Sequence, residues 1–158
     1  MPKALNTTGR VKRPVAFKGA GFSLLPHTAD IIVRARALAY KPLFRRAARG
    51  LLAVFGLKAA KGAASEVRLR LQSPDLDALL CAWLNEITYL VSSGKIAPSK
   101  IIIEDISLNR DGARLAALLR GYKPRLPLFR HEVKGVPIHG LAIRRGGGAL
   151  SVSFIADI

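Results

Sequence analysis

The chain has 158 residues, half of them hydrophobic, with 26 Lys and Arg against 10 Asp and Glu and a formal net charge of +16. That length suits one domain with a real core, and the apolar content excludes a wholly disordered chain. No uncharged apolar run approaches the roughly 18 residues of a membrane span, and the single cysteine, Cys81, excludes a disulfide framework and points to a reducing cytoplasm.

Two accounts of the charge stand side by side. One is attraction to phosphate, in nucleic acid or an RNA-handling partner. The other is composition bias, because high-GC bacterial genomes enrich Arg and Ala. Net charge bears on solubility and association, and it identifies no chemistry.

Residues 1–21 carry Lys3, Arg10, Lys12, Arg13 and Lys18 with no acid, and read as a basic, mobile arm. From Phe22 the pattern is ordered, giving a second region, 22–158. Ile31, Val33, Ala35 and Ala37 alternate with Ile32, Arg34 and Arg36, which predicts a strand. Pro42 then opens a predicted helix with Phe44, Ala47, Ala48, Leu51, Leu52 and Phe55 on one face and Gly56 as its C-cap. Arg45, Arg46 and Arg49 form a stripe on the other face. It reads either as a solvated helix face or as an RNA contact.

Val67, Leu69 and Leu71 alternate with Arg68 and Arg70 in a half-buried strand. Ser73 is the expected N-cap of the next helix, with Pro74 at its first position and Asp75 and Asp77 near its positive end. Leu76, Leu79, Leu80, Trp83, Leu84, Ile87, Leu90 and Val91 hold one face over four turns until Gly94 ends the helix. A buried Trp83 implies a loss of about 3–5 kcal/mol on replacement by Ala.

The second half reads as strands. Ile101–Leu108 is rich in β-branched residues, Asn109–Gly112 supplies a turn, and Arg114–Tyr122 follows as a strand despite its helix-favouring Leu and Ala. Val133–Ile143 and Ala149–Ile155 flank Gly146, Gly147 and Gly148, a hairpin signal. The expected architecture is a single α+β domain: a two-layer sandwich with a mostly antiparallel sheet packed against two helices.

Two carboxylates stand out in so basic a chain. Asp30 is the first acid in the sequence, and Asp157 is the only one after Glu132. Each lies at the end of an apolar strand segment, where a solubilising charge is not expected. Brought to about 4 Å apart, they would repel by roughly 4 kcal/mol at an effective dielectric near 20. A divalent cation is the simplest neutraliser, and Asp oxygens suit hard ions such as calcium or magnesium.

Other site chemistry is missing from the sequence. It has no G-x-S-x-G elbow, no Walker-type loop and no strand-linked G-x-G-x-x-G. His27, His131, His139 and Cys81 do not match zinc spacing, and Cys81 in an apolar helical setting reads as structural. A hydrolase built on the Asp pair would lack an accompanying nucleophile or general base.

Four short stretches carry a family resemblance: His27-Thr28-Ala29-Asp30; Trp83 to Leu90 (WLNEITYL); His131 to Leu141 (HEVKGVPIHGL); and the closing Ala156-Asp157-Ile158. In this order and spacing, over Phe22 to Ile158, they resemble the archeases, accessory proteins of the RtcB-type tRNA-splicing RNA ligase. Pro137 departs from the family pattern and marks an edge or a bulge. The chain's basic charge also departs from the acidic character of many archeases.

The resemblance implies a non-enzymatic activator in the cytoplasm that promotes guanylylation of the ligase's active-site histidine and its multiple turnover. It implies a metal site at Asp30, Asp157 and the carbonyl or terminal carboxylate of Ile158, with calcium the first expectation and magnesium or manganese the alternatives. It also implies that His27, Lys134 and His139 face the ligase's nucleotide site, with Lys134 a phosphate contact. Taken alone, His27 with Thr28 caps a turn, Lys134 is a surface charge and His139 a turn or core residue. Glu86 reads as a polar-face helix residue and a minor metal candidate. The alternative function is an RNA-binding chaperone of a tRNA-modifying enzyme, using the basic arm and Arg45, Arg46 and Arg49.

Overall fold

The computed structural model describes residues 15–16, 21–26, 29–57, 62–124 and 129–158. Its elements run β1 (Val15–Ala16), β2 (Phe22–Pro26), β3 (Asp30–Ala37), α1 (Tyr40–Phe55), β4 (Ala63–Ser73), α2 (Leu76–Ser92), β5 (Ala97–Asn109), β6 (Gly112–Lys123), β7 (Ala142–Gly146) and β8 (Ala149–Asp157). Every strand pairing is antiparallel, and the chain folds as one α+β domain. The strands divide between two sheets, ordered β1-β2-β3-β8-β7 and β4-β6-β5.

Alternation fixes which face of each strand is inside. In β3, Val33, Ala35 and Ala37 are buried while Arg34 and Arg36 are exposed. In β8, Leu150, Val152, Phe154 and Ala156 point inward. In β6 the inward set is Ala113, Leu115, Ala117 and Leu119, which confirms the strand reading of this Leu- and Ala-rich segment. Here pairing on both sides, to β4 and β5, overrides helix propensity. β7 and β8 turn at Gly147 and Gly148, whose φ values of 58° and 74° are those of a type I′ hairpin.

The two helices pack on the inner faces of the sheets, α1 mainly on β3 and α2 on β4 and β6. Trp83 is fully buried, and its indole N–H donates to the Phe44 carbonyl at 3.1 Å, tying α2 to α1. Phe44, Phe55, Leu80, Leu84 and Phe154 complete the centre of one core. Gly56 caps α1 in the left-handed region.

Three local expectations need correction. The N-cap of α2 is Asp75, whose side chain accepts from the Ala78 N–H at 2.8 Å; Ser73 is the last residue of β4 and Pro74 lies before the cap. Pro42 does not open α1, which begins at Tyr40; within the first turn its missing N–H has no helical acceptor to lose. The segment expected as a strand over Val133–Ile143 is mostly irregular, and β7 takes up only Ala142 onward. Of the expected arm, Val15 and Ala16 pair with Leu24 and Ser23 of β2, and residues 1–14 and 17–20 lie outside the described residues.

Candidate metal centre and the strap beside it

Asp30 opens β3 and Asp157 closes β8, and the register places them directly opposite each other. Asp157 spends both main-chain groups on its other side. Its carbonyl accepts from the Lys134 N–H at 2.7 Å, and its N–H donates to the Gly135 carbonyl at 2.9 Å. Towards β3 it therefore forms a non-hydrogen-bonded pair with Asp30, the type in which opposed Cα atoms approach to about 4.5 Å and side chains lie closest. Both residues belong to the outer face of the sheet, in the strand parity of Arg34 and Ser153, away from the core.

Among the described residues, neither carboxylate has an ion pair or a hydrogen-bond donor. Like charges directly opposed across strands are destabilising, so the pair is a fit place for a hard cation. The described residues contain no cluster of three or more His, Cys, Asp or Glu side chains that could hold a metal ion. Ile158 follows immediately in sequence, its side chain packed against the core.

The segment 129–141 forms a strap over this end of the sheet. Phe129 packs edge-on against Phe55 with ring centroids 5.6 Å apart, and the Arg130 N–H donates to the Phe55 carbonyl at 2.6 Å. Val133 and Val136 are buried. Asn85 then clasps Val136 twice, accepting from its N–H at 3.0 Å and donating to its carbonyl at 2.8 Å. Asp77 holds the far end by accepting from the Ile143 N–H at 2.8 Å. So α2 positions the strap, and the strap completes the strand edge beside Asp157.

Asn85 and Gly135 are the structural partners that sequence reasoning did not assign. The signal for Asn85 was a neutral amide directly after the apolar Trp83 and Leu84 of α2; Gly135 had no such signal. Cys81 lies under the strap, its Sγ donating to the Val136 carbonyl at 3.4 Å. Burial pushes its thiol pKa up, and the hydrogen bond from Asn85 opposes that in part.

The structure brings some expected residues to the Asp pair and not others. Lys134 is there through its main chain, with an exposed side chain. His139 is exposed in the turn closed by the Leu141 N–H on the Ile138 carbonyl, and no hydrogen bond joins it to either aspartate among the described residues. His27 lies outside the described residues. Arg45 and Arg49 are exposed on α1, whereas Arg46 donates to the Arg36 carbonyl at 2.7 Å and braces the end of β3. Glu86 is half-buried on α2 and belongs to no metal-holding cluster of described residues.

The α+β fold is one that related proteins share. Residues 22–158 match the model of the archease protein family. The chain belongs to that family. It is 31% identical over 146 residues to protein archease of Methanosarcina acetivorans, covering 89% of this chain and 98% of that protein. Protein archease of Methanosarcina mazei is 29% identical over 143 residues, with the same coverage of 89% and 98%. The solution structure of protein 1598 of Methanobacterium thermoautotrophicum superposes with a TM-score of 0.74 at 27% identity, covering 88% of this chain and 99% of that one. A crystal structure from Thermotoga maritima, described as an archease and possible chaperone, shares the fold with a TM-score of 0.57 at 22% identity, covering 84% and 93%. No helix among the described residues is long and apolar enough to cross a membrane.

Proposed function

We propose that this archease is a non-enzymatic, metal-bearing activator of an RtcB-type RNA ligase in the cytoplasm, promoting guanylylation and multiple turnover of the ligase. The observation that carries the reading is the direct opposition of Asp30 and Asp157 with no cationic partner among the described residues. Asp30, Asp157 and a main-chain oxygen of Ile158 would hold a divalent cation, calcium first, magnesium or manganese second. When bound, the ion supplies positive charge that offsets phosphate charge at a docked nucleotide site. The chain's own residues position that charge. The β3–β8 register fixes the two carboxylates, the strap from Lys134 to Val136 buttresses Asp157, and Lys134 offers a further cation for phosphate.

The test is multiple-turnover RNA ligation by the cognate ligase with wild type, Asp30→Asn and Asp157→Asn. Both variants are expected to lose most of the stimulation while remaining folded. Full stimulation by both would remove the metal from the mechanism.

A second reading, an RNA-binding chaperone, is favoured by one observation: Arg45 and Arg49 stand exposed on α1 with no carboxylate partner among the described residues. Binding of tRNA by the isolated protein, falling steeply with log salt and weakened by Arg45→Gln with Arg49→Gln, would support it.

A further inference from the structure

The three-stranded sheet turns one face to the core and the other away from it. On that outer face the registers build a grid. Gln72, Arg114 and Ser107 form one row across β4, β6 and β5; Arg70, Ala116 and Asp105 form the next. The smallest side chain, Ala116, occupies the middle of the second row. Over it lies a dent of about 380 Å³, lined by these six residues together with Leu71 and Leu115. That size falls in the range of about 300–1,000 Å³ typical of small-molecule sites.

A β-bulge makes this lining. Ile101 and Ile103 of β5 face the core, and unbroken alternation would send Asp105 and Ser107 inward too. Between Ile103 and Asp105 the register slips by one residue, at Glu104. Ile106 then faces the core, and Asp105 and Ser107 turn outward into the dent. Bulges of this kind recur where a side chain must be re-aimed at a site.

The charges are arranged for a ligand rather than for one another. On the same face, Arg68 pairs with Glu104 at 3.2 Å and Arg120 with Glu66 at 2.8 Å. Arg70 and Arg114 instead have no ion pair among the described residues, and neither does Asp105 on the opposite edge strand. Arg70 and Arg114 are diagonal neighbours on adjacent strands, a separation of about 7–8 Å that two guanidinium groups can close around one anion. Guanidinium forks match phosphate oxygens, and a carboxylate on the far wall accepts a hydroxyl or amino proton.

We propose that this dent binds a phosphomonoester of mononucleotide size, its phosphate between Arg70 and Arg114 and its sugar hydroxyls or base amino group on Asp105. Ser107 and Gln72 complete the phosphate end with neutral donors. The site lies on a different sheet from Asp30 and Asp157 and works without them.

Calorimetric titration of the full chain with adenosine 5′-monophosphate and with inorganic phosphate tests this. Wild type binds the nucleotide saturably at one site. Arg70→Gln with Arg114→Gln weakens it at least about tenfold, the loss expected for a bidentate phosphate clamp. Arg144→Gln with Arg145→Gln removes the same charge from exposed positions on β7 and leaves the affinity unchanged. Asp105→Asn separates the two ligands, weakening the nucleotide and tightening inorganic phosphate by removing a like charge. Equal weakening by the two arginine pairs, or no saturation by wild type, overturns the proposal and leaves only diffuse attraction of anions to a basic surface. Asp105→Asn shifting both ligands in the same direction overturns the assignment of Asp105.

Discussion

A Cβ placed on Gly50 would stand 2.5 Å from Cγ1 of Val33. Helix α1 therefore lies on β3 as closely as a missing side chain permits, and both residues are buried. Replacing Gly50 by Ala improves helix propensity by about 1 kcal/mol. Overpacking against a β-branched neighbour with little rotamer freedom costs about 1–3 kcal/mol. Gly50→Ala is thus expected to be neutral to destabilising by up to about 2 kcal/mol in urea unfolding, against its propensity. Adding Val33→Ala should recover part of that loss, and a double-mutant cycle with no coupling would remove the contact as the cause.

The clasp of Asn85 on Val136 makes a second case. Its loss leaves the Val136 N–H without a partner inside the protein, although Val136 is 3% exposed. An orphaned buried group of this kind costs about 1–3 kcal/mol, which is the destabilisation expected for Asn85→Ala. The effect should also be local. Amide exchange at Lys134 and Asp157, which bond across the strap, should quicken more than exchange in the middle of α2. Uniform acceleration everywhere would mean that the clasp serves global stability alone.

Much of this was legible in the residues themselves. The apolar face of α2, the alternation in β3 and β8 and the Gly147–Gly148 hairpin each follow from local periodicity or turn chemistry, and each is found. Asp30 and Asp157 stood out because they broke an apolar pattern. Their meeting depended on β3 pairing with β8 across most of the chain, a long-range event that no local signal encodes. The split into two sheets was hidden for the same reason, since the strands of both sheets alternate alike. The strap was misread because Val133 and Val136 look like strand residues, while what holds them is an amide on a distant helix. The bulge at Glu104 was invisible inside a β-branched run, and with it the outward turn of Asp105.

Cys81 gives a prediction about pH. Its thiol is held neutral by burial, so its folded pKa lies above that of the unfolded chain. The stability tied to the neutral thiol is complete below the unfolded value and is lost as pH rises through the folded one. Alkylation of native protein at mildly alkaline pH should therefore run slower than in urea, where the strap and Asn85 no longer cover the sulfur. Asn85→Ala should open that cover and speed native alkylation. A native rate equal to the unfolded rate would show that the strap leaves Cys81 accessible.

The aspartate pair itself yields the most discriminating measurement, because charge repulsion and metal binding act in opposite directions on the same variants. In chelator, Asp30 and Asp157 only repel, and like charges directly opposed across strands are destabilising. Asp157→Asn and Asp30→Asn should then match or slightly exceed wild type in stability. With calcium added, wild type should gain stability by mass action, about 2.7 kcal/mol at one hundred times the dissociation constant, and the melting temperature should climb with concentration. Both variants should show little or no gain, so the order of stabilities reverses between the two buffers. Magnesium and manganese titrations on the same three proteins rank the ions, because the three differ in size and in how readily they give up water. If wild type and variants respond alike to every ion, the opposed carboxylates bind none of them, and their repulsion is simply carried by the β3–β8 ladder.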